Sequence, residues 1–249
     1  RISPEAPVPI VDVKNYDFCI GGAGNVALNL SRLGIKTELL SFIGNDDEAK
    51  EIIKILKNNQ IVNHLITIPQ WQTTTKLRIV SQNQQLIRLD FEDTLKKDYS
   101  NDLLKKFKKS LRSIDVVVIS DYAKGTLVKS NEFIALAKEM QIPTIVDPKG
   151  KNFEKYEGAS MITPNINEFE LIVGKCNSDS EIVEKGSKLI ESLSINALLV
   201  TRGEQGMSYI NGSNSFLHIP TNAQEVYDVT GAGDTVTATI AAAIANGNT

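Results

Sequence analysis

The stretch Asp228-Val-Thr-Gly-Ala-Gly-Asp234-Thr lies about fifteen residues from the C-terminus, just before an alanine-rich apolar run, Val236 to Ala245. Gly231 and Gly233 permit a tight turn and a close approach of backbone to a ligand. The free amides opening the next helix point at an anion, and the helix dipole favours negative charge there. A carboxylate in that place repels a phosphate, so its presence needs a reason. Asp234 has one as a general base, taking a proton from a hydroxyl that attacks phosphorus. The amides of Gly231, Ala232 and Gly233 would then form an anion hole. The plainer role, an N-cap, does not account for the two glycines.

Other polar groups sit where apolar runs end. Ser120-Asp121-Tyr122-Ala-Lys124-Gly125 follows Val116–Ile119, and Asp147-Pro-Lys149-Gly150 follows Thr144–Val146. Pro164-Asn165-Ile-Asn167-Glu168 follows Ser160–Thr163, and Thr201-Arg-Gly203-Glu-Gln-Gly206 follows Leu198–Thr201. In an open parallel sheet the carboxyl ends of strands share one edge, and ligands bind there. Any one of these junctions alone could be a turn; four together form a constellation.

The elements that must position them alternate strand and helix. A strand is predicted over Ile35–Ile43, then a helix over about 47–57, capped by Asp46 and Asp47 with Ile52, Ile53 and Leu56 as its apolar stripe. Residues 76–80 and 85–90 alternate around Ser81-Gln-Asn-Gln84, which predicts a hairpin interrupting the helical alternation. Further helices are predicted over 99–112, 131–140, 167–173 (Gly174 as its stop) and 181–193. Val116–Ile119, Thr144–Val146, Ser160–Thr163 and Leu198–Thr201 read as strands, the first a continuous apolar run suited to a buried parallel sheet. Met207–Ile210 and Ser215–Ile219 flank Asn211-Gly212, a hairpin signal. The last helix starts near Gly233. The pattern predicts one α/β domain over 1–249, with a mostly parallel sheet, helices on both faces, and the 75–91 hairpin as a separate flap.

Gly22-Ala-Gly24-Asn-Val-Ala27 also matches a dinucleotide-binding pattern, with Asp46 and Asp47 about 20 residues on, where that pattern wants an acid. A nicotinamide enzyme is therefore a competing reading. Against it, Tyr16–Ile20 makes a weak strand carrying an acid, and no acid or base for hydride transfer stands out. The same glycines can instead bring Asn25 and backbone amides against a polyol.

Composition sets the frame. The 249 residues are 41% hydrophobic and 23% charged, with net charge −3, which suits a soluble globular protein and argues against a dedicated nucleic-acid binder. The basic run Lys105–Lys109 alternates with Leu103, Leu104, Phe107 and Leu111 and reads as a solvated helix face. Cys19, Cys176, His64 and His218 have no metal-ligand spacing. No apolar run reaches the ~18–20 residues that span a bilayer, and a cytoplasmic location is expected. The chain opens at Arg1 without an initiator Met, so residues are expected before it.

With these residues assembled, the chain resembles the ribokinase-like (PfkB) carbohydrate kinases. Gly21-Gly22-Ala-Gly24-Asn25 and Asp228-Val-Thr-Gly231-Ala-Gly233-Asp234 match the family's two signatures, and Asn165-Ile-Asn-Glu168 its N-x-x-E element. Within the family it most resembles the D-glycero-β-D-manno-heptose 7-phosphate kinases, through residues 1–9, Asn83–Asp90, Ser120–Gly125, Asp147–Gly150 and Thr163–Glu170. That resemblance implies a ribokinase-like fold with a small β lid. It implies transfer of the ATP γ-phosphoryl to the anomeric hydroxyl of the heptose phosphate, giving the 1,7-bisphosphate on the route to ADP-heptose and lipopolysaccharide core.

The resemblance also implies roles. Asp234 is the base and Gly231, Ala232 and Gly233 the anion hole. Asn165, Ile166, Asn167 and Glu168 serve ATP, with Glu168 reaching Mg²⁺ through water. Thr201, Gly203 and Gly206 contact the nucleotide, and Gly22 and Asn25 the sugar hydroxyls. Arg78, Arg88, Lys124 and Lys149 are candidates for the substrate's 7-phosphate or the charge in flight, and Asp121 for a sugar or metal contact. A homodimer through the lid is expected. Many such kinases are fused to a C-terminal nucleotidyltransferase. The family's first strand, with a sugar-holding aspartate, and its last helices are expected outside this chain. Gly24 stands where these kinases usually have Ala. The alternatives are a kinase of the same fold for another sugar, and a nucleotide- or sugar-binding protein without catalysis.

Overall fold

The structure is a computed structural model that describes residues 3–8, 10–81, 84–95, 97–212, 215–221 and 231–247. Asp228–Thr230 of the glycine-rich stretch and Asn83 of the hairpin loop lie outside the described residues. The elements run α1 (Ala23–Arg32), β1 (Glu38–Leu39), β2 (Phe42–Ile43), α2 (Asp47–Asn58), β3 (Val62–Asn63), β4 (Ile66–Thr67), β5 (Thr75–Ser81) and β6 (Gln84–Phe91). They continue α3 (Ser100–Ser110), β7 (Val117–Ser120), α4 (Ser130–Glu139), β8 (Thr144–Asp147), β9 (Met161–Ile162), α5 (Ile166–Val173), α6 (Asp179–Leu193), β10 (Ala197–Thr201), β11 (Met207–Asn211), β12 (Phe216–Ile219) and α7 (Ala232–Ala245).

The central sheet has the order β12-β11-β10-β9-β8-β7. From β7 to β10 every pairing is parallel, and the β10-β11-β12 meander closes the other edge antiparallel. The middle strands are apolar on both faces because both are covered. On β8, Ile145 packs with Val26 and Leu30 of α1 and with Ala238 and Ala241 of α7. Val146, the next residue, faces the opposite layer with Phe107, Ile134, Phe169 and Leu189 from α3, α4, α5 and α6. Ala238 and Ala241 are fully buried; their small side chains let α7 lie close to the sheet, which fixes the height of its N-terminus.

Two local expectations change. Ile35–Ile43 is not one strand: it breaks into β1 and β2, which pair in parallel with β3 and β4 as two small sheets apart from the main one. Tyr16–Ile20 forms no strand, and Tyr16 and Phe18 are exposed. Gly22, with φ +57, leads instead straight into α1. The strand-turn-helix unit that a dinucleotide fingerprint requires is therefore not built. Asp46, the acid that reading reserves for a ribose, is engaged elsewhere. Its Oδ1 accepts from Ala49 N (2.9 Å) and Thr73 Oγ1 (2.7 Å), and its Oδ2 from Thr73 N (2.7 Å). It caps α2 and ties that helix to the base of the β5–β6 hairpin.

Candidate active site

The strand-end junctions converge on one cleft. β7 runs into Asp121 and Tyr122, β8 into Asp147 and Lys149, and β9 into Thr163 and Asn165, while β10 ends at Thr201; the start of α7 brings Gly231, Gly233 and Asp234 to the same place. This is the carboxyl edge of the parallel strands, where an open α/β sheet leaves room for a ligand. Thr163 Oγ1 lies 3.3 Å from Thr237 Oγ1, a buried hydroxyl pair pinning the first turns of α7 to the end of β9.

Gly231 is the N-cap of α7 in a left-handed conformation (φ +81), which favours glycine. A Cβ there would sit 2.8 Å from Asn25 Nδ2. The space is needed because Asn25, in the first turn of α1, donates from Nδ2 to Asp234 Oδ2 at 2.7 Å. The Tyr122 hydroxyl donates to Asp234 Oδ1 at 3.1 Å. Asn29 Nδ2 reaches Thr235 Oγ1 at 3.3 Å, so the N-terminal turns of α1 and α7 run side by side. Asp234 is buried (8% exposed), yet it lines the cleft. The first amides of α7 have no partner within the helix, and they open onto the same side.

Across the cleft, Asn165 and Glu168 form a capping box at the start of α5. Asn165 Oδ1 accepts from Glu168 N (3.0 Å), and Glu168 Oε2 accepts from Asn165 N (3.1 Å). Lys149 Nζ donates to the other oxygen, Oε1, at 2.6 Å. The cap and the placement of Glu168 in the cleft therefore hold at once. Ile166 and Asn167 complete that first turn without lining the cleft. Burial first, then the charges of Glu168 and Asp234, push the Asp147 carboxyl up to about 7, with Lys149 pulling it down. Among the described residues no group of three or more His, Cys, Asp or Glu is gathered as a ready-made metal cage.

Asp121 is engaged within the protein. Its Oδ1 accepts from Ala123 N (2.7 Å), and its Oδ2 accepts from Tyr156 OH (2.8 Å) and Lys155 Nζ (2.5 Å). Lys124 pairs with Glu92, just past β6, and so ties the 121–125 loop to the hairpin. Arg78 and Arg88 face each other across the β5–β6 register, and Arg88 pairs with Asp90 at 2.9 Å; neither lines the cleft. Gly203 and Gly206 lie in the turn from β10 to β11. Gly206 has φ +81, and a Cβ there would fall 2.0 Å from Ile219 O, so backbone packing accounts for it. Tyr122 and Asp147 were not singled out from the sequence. Each stands beside a residue that was, at a polar strand end, and that position was their only signal.

A buried carboxylate at a helix N-terminus, with amides beside it and an open cleft before it, makes a site for phosphoryl transfer to a hydroxyl. This is the architecture of a carbohydrate kinase. Residues 2–249 match the pfkB family carbohydrate kinases, and the chain belongs to that family. It is 49% identical over 249 residues to "Bifunctional protein HldE" of Klebsiella pneumoniae (strain 342), covering 100% of this chain and 52% of that protein. The protein of the same name from Haemophilus ducreyi is 48% identical over 247 residues, 99% of this chain and 52% of that one. The chain thus spans about half the length of the curated relatives it matches. Among solved structures, the tetrameric inhibited form of phosphofructokinase-2 from Escherichia coli superposes with TM-score 0.79 at 17% identity, covering 97% of this chain and 83% of that one. The protein Sa239 superposes with TM-score 0.77 at 20% identity, covering 97% and 80%. These two likenesses show the fold.

Proposed function

We propose that the chain is an ATP-dependent kinase for D-glycero-β-D-manno-heptose 7-phosphate, phosphorylating its anomeric hydroxyl. The observation that carries the kinase reading is Asp234, held at the start of α7 by Asn25 from the glycine turn, so that both signature motifs meet at one carboxylate. The heptose phosphate rests on the resemblance of residues 83–90, 120–125 and 147–150, and on the similarity to the bifunctional HldE proteins. A cytoplasmic enzyme feeding ADP-heptose synthesis fits this reading, as does a nucleotidyltransferase fused beyond this chain.

In this reading Asp234 accepts the proton of the anomeric hydroxyl as that oxygen bonds to the γ-phosphorus and the bond to ADP breaks. The first amides of α7 take up charge on the transferring group. Asn25 presents its amide to both Asp234 and a sugar hydroxyl. Lys149, already in the cleft, is the better placed of the four basic candidates to follow the phosphoryl charge. The cleft suits Mg²⁺ bound through water and phosphate oxygens rather than in a protein cage. Asp147, whose ionisation its neighbours oppose, is the group a cation would relieve, with Glu168 beside it. When bound, the ion would neutralise phosphate charge.

Asp234→Asn keeps the size of the side chain and removes the base. Turnover is expected to fall by at least about 10²-fold, with ATP binding by calorimetry retained; undiminished turnover would refute the assignment. A panel of sugar phosphates with ATP and Mg²⁺ tests the substrate. Turnover of ribose or fructose phosphates without turnover of the heptose phosphate would leave the kinase reading standing and remove the heptose.

A further inference from the structure

We propose that Tyr122 is a positioning residue for the general base: its hydroxyl fixes one oxygen of Asp234 while Asn25 fixes the other. This inference rests on the reading of Asp234 as base and adds a residue to it. The geometry is convergent. Tyr122 OH lies 3.1 Å from Oδ1 and Asn25 Nδ2 lies 2.7 Å from Oδ2. The two donors come from different elements, the β7–α4 loop and the first turn of α1. A carboxylate has about four acceptor sites, so one donor on each oxygen sets the plane of the group and leaves acceptor capacity for the substrate hydroxyl.

The rest of the loop is arranged to aim this tyrosine. Asp121, one residue before it, accepts from Ala123 N and folds the chain into a tight turn, with Ala123 at φ +54. Tyr156 OH and Lys155 Nζ anchor Asp121 on its other oxygen. The Tyr122 ring lies over Gly22, where a Cβ would come within 3.2 Å of ring atom Cε2. Gly22 thus serves the phenol as well as the turn. Burial, with the Asp234 charge next, pushes the Tyr122 hydroxyl above its ordinary value, so it remains a donor throughout the working pH range. Asp121, Tyr156 and Lys155 thus act on the base at one remove: they hold the turn that holds Tyr122.

The test uses Tyr122→Phe, which keeps the ring on Gly22 and removes the hydroxyl. With heptose 7-phosphate, or whichever sugar phosphate the panel identifies, kcat is expected to fall about tenfold while both KM values stay within about twofold. The melting temperature is expected to stay within about 1 °C. In the Asp234→Asn background, single-turnover rates with γ-labelled ATP are expected to show no further loss from Tyr122→Phe, because there is no base left to hold. An unchanged kcat overturns the proposal. So does a raised sugar KM with unchanged kcat, which would make Tyr122 a substrate contact, and so does an equal loss in both backgrounds, which would make it structural. Full turnover by Asp234→Asn alone would instead remove the reading beneath it, and the two failures are told apart by that single variant.

Discussion

Asp147 carries the clearest consequence at the scale of a single residue. It sits among Glu168, Asp234 and Asp121 at the end of β8, and its carboxyl is pushed up to about 7 from an ordinary 3.8, by burial first and then by its neighbours' charge. Between about pH 4 and 7 the folded chain therefore binds a proton that the unfolded chain has lost. The contribution of this group to stability falls as pH rises through that window. Asp147→Asn removes the effect. The ligand-free variant is expected to melt above the parent at pH 8, by roughly 2–4 °C for each kcal/mol relieved, with the difference shrinking toward pH 4. A difference that is the same at both pH values, read by scanning calorimetry, would contradict the assigned ionisation. The same variant is expected to lose turnover, since the carboxylate that a bound cation would meet is gone.

At the scale of elements, the site is built by helix starts. The first turns of α5 and α7 line the cleft, so two positive dipole ends face one place where phosphate charge is expected, and the first turn of α1 joins them through Asn25. Sequence pattern shows two of these starts clearly. Asn165 and Glu168 are spaced as a capping box, and Gly231 precedes α7. The start of α1 is less visible, because its glycine turn follows a segment with no regular structure. A fourth start, that of α2, does different work. Asp46 caps it and binds both the backbone and the hydroxyl of Thr73, and Thr73 Oγ1 in turn accepts from Gly44 N. Burial works against the charged form of Asp46, but the hydrogen bonds from Thr73 and Ala49 overcome it and hold the carboxyl below its usual range. Asp46→Ala is expected to cost about 2 kcal/mol in urea unfolding. It should also speed amide exchange at Thr75 and Lys76, since the hairpin base loses its tie. Exchange confined to α2 would show that the tie is not what holds the hairpin.

At the scale of the whole molecule, the β5–β6 hairpin stands out. Among the described residues it is a two-stranded sheet joined to no other, and such a ribbon is marginal alone. Leu77 pairs with Leu89 and Ile79 with Ile87 across it, and Ile87, Leu89 and Phe91 are exposed. An apolar face of this kind fits pairing with a second copy of the chain, each hairpin covering the other, and closing as a lid that excludes water from the transfer. By sedimentation equilibrium the parent is expected to be a dimer and Leu89→Lys a monomer. A monomeric parent would refute the pairing.

By itself the sequence determined most of the alternation of strands and helices, the caps at Asp46 and Asn165, and the polar motifs at the strand ends. Each of these depends on neighbours a few positions apart: an apolar run is buried wherever it lies, and Asn-x-x-Glu caps whatever helix it starts. It also carried the family, because Gly231, Gly233 and Asp234 have few other reasons to occur together. Tertiary structure decided what meets what. Asn25 and Asp234 are 209 positions apart, and Tyr122 and Asp234 are 112 apart; no local pattern encodes such a pairing. It arises because α1 and α7 cover the same face of β8, with small alanines bringing α7 down onto Ile145. Tertiary contacts likewise decided that Asp121 is held within the protein by Tyr156 and Lys155, and that Asp147 is crowded by like charge.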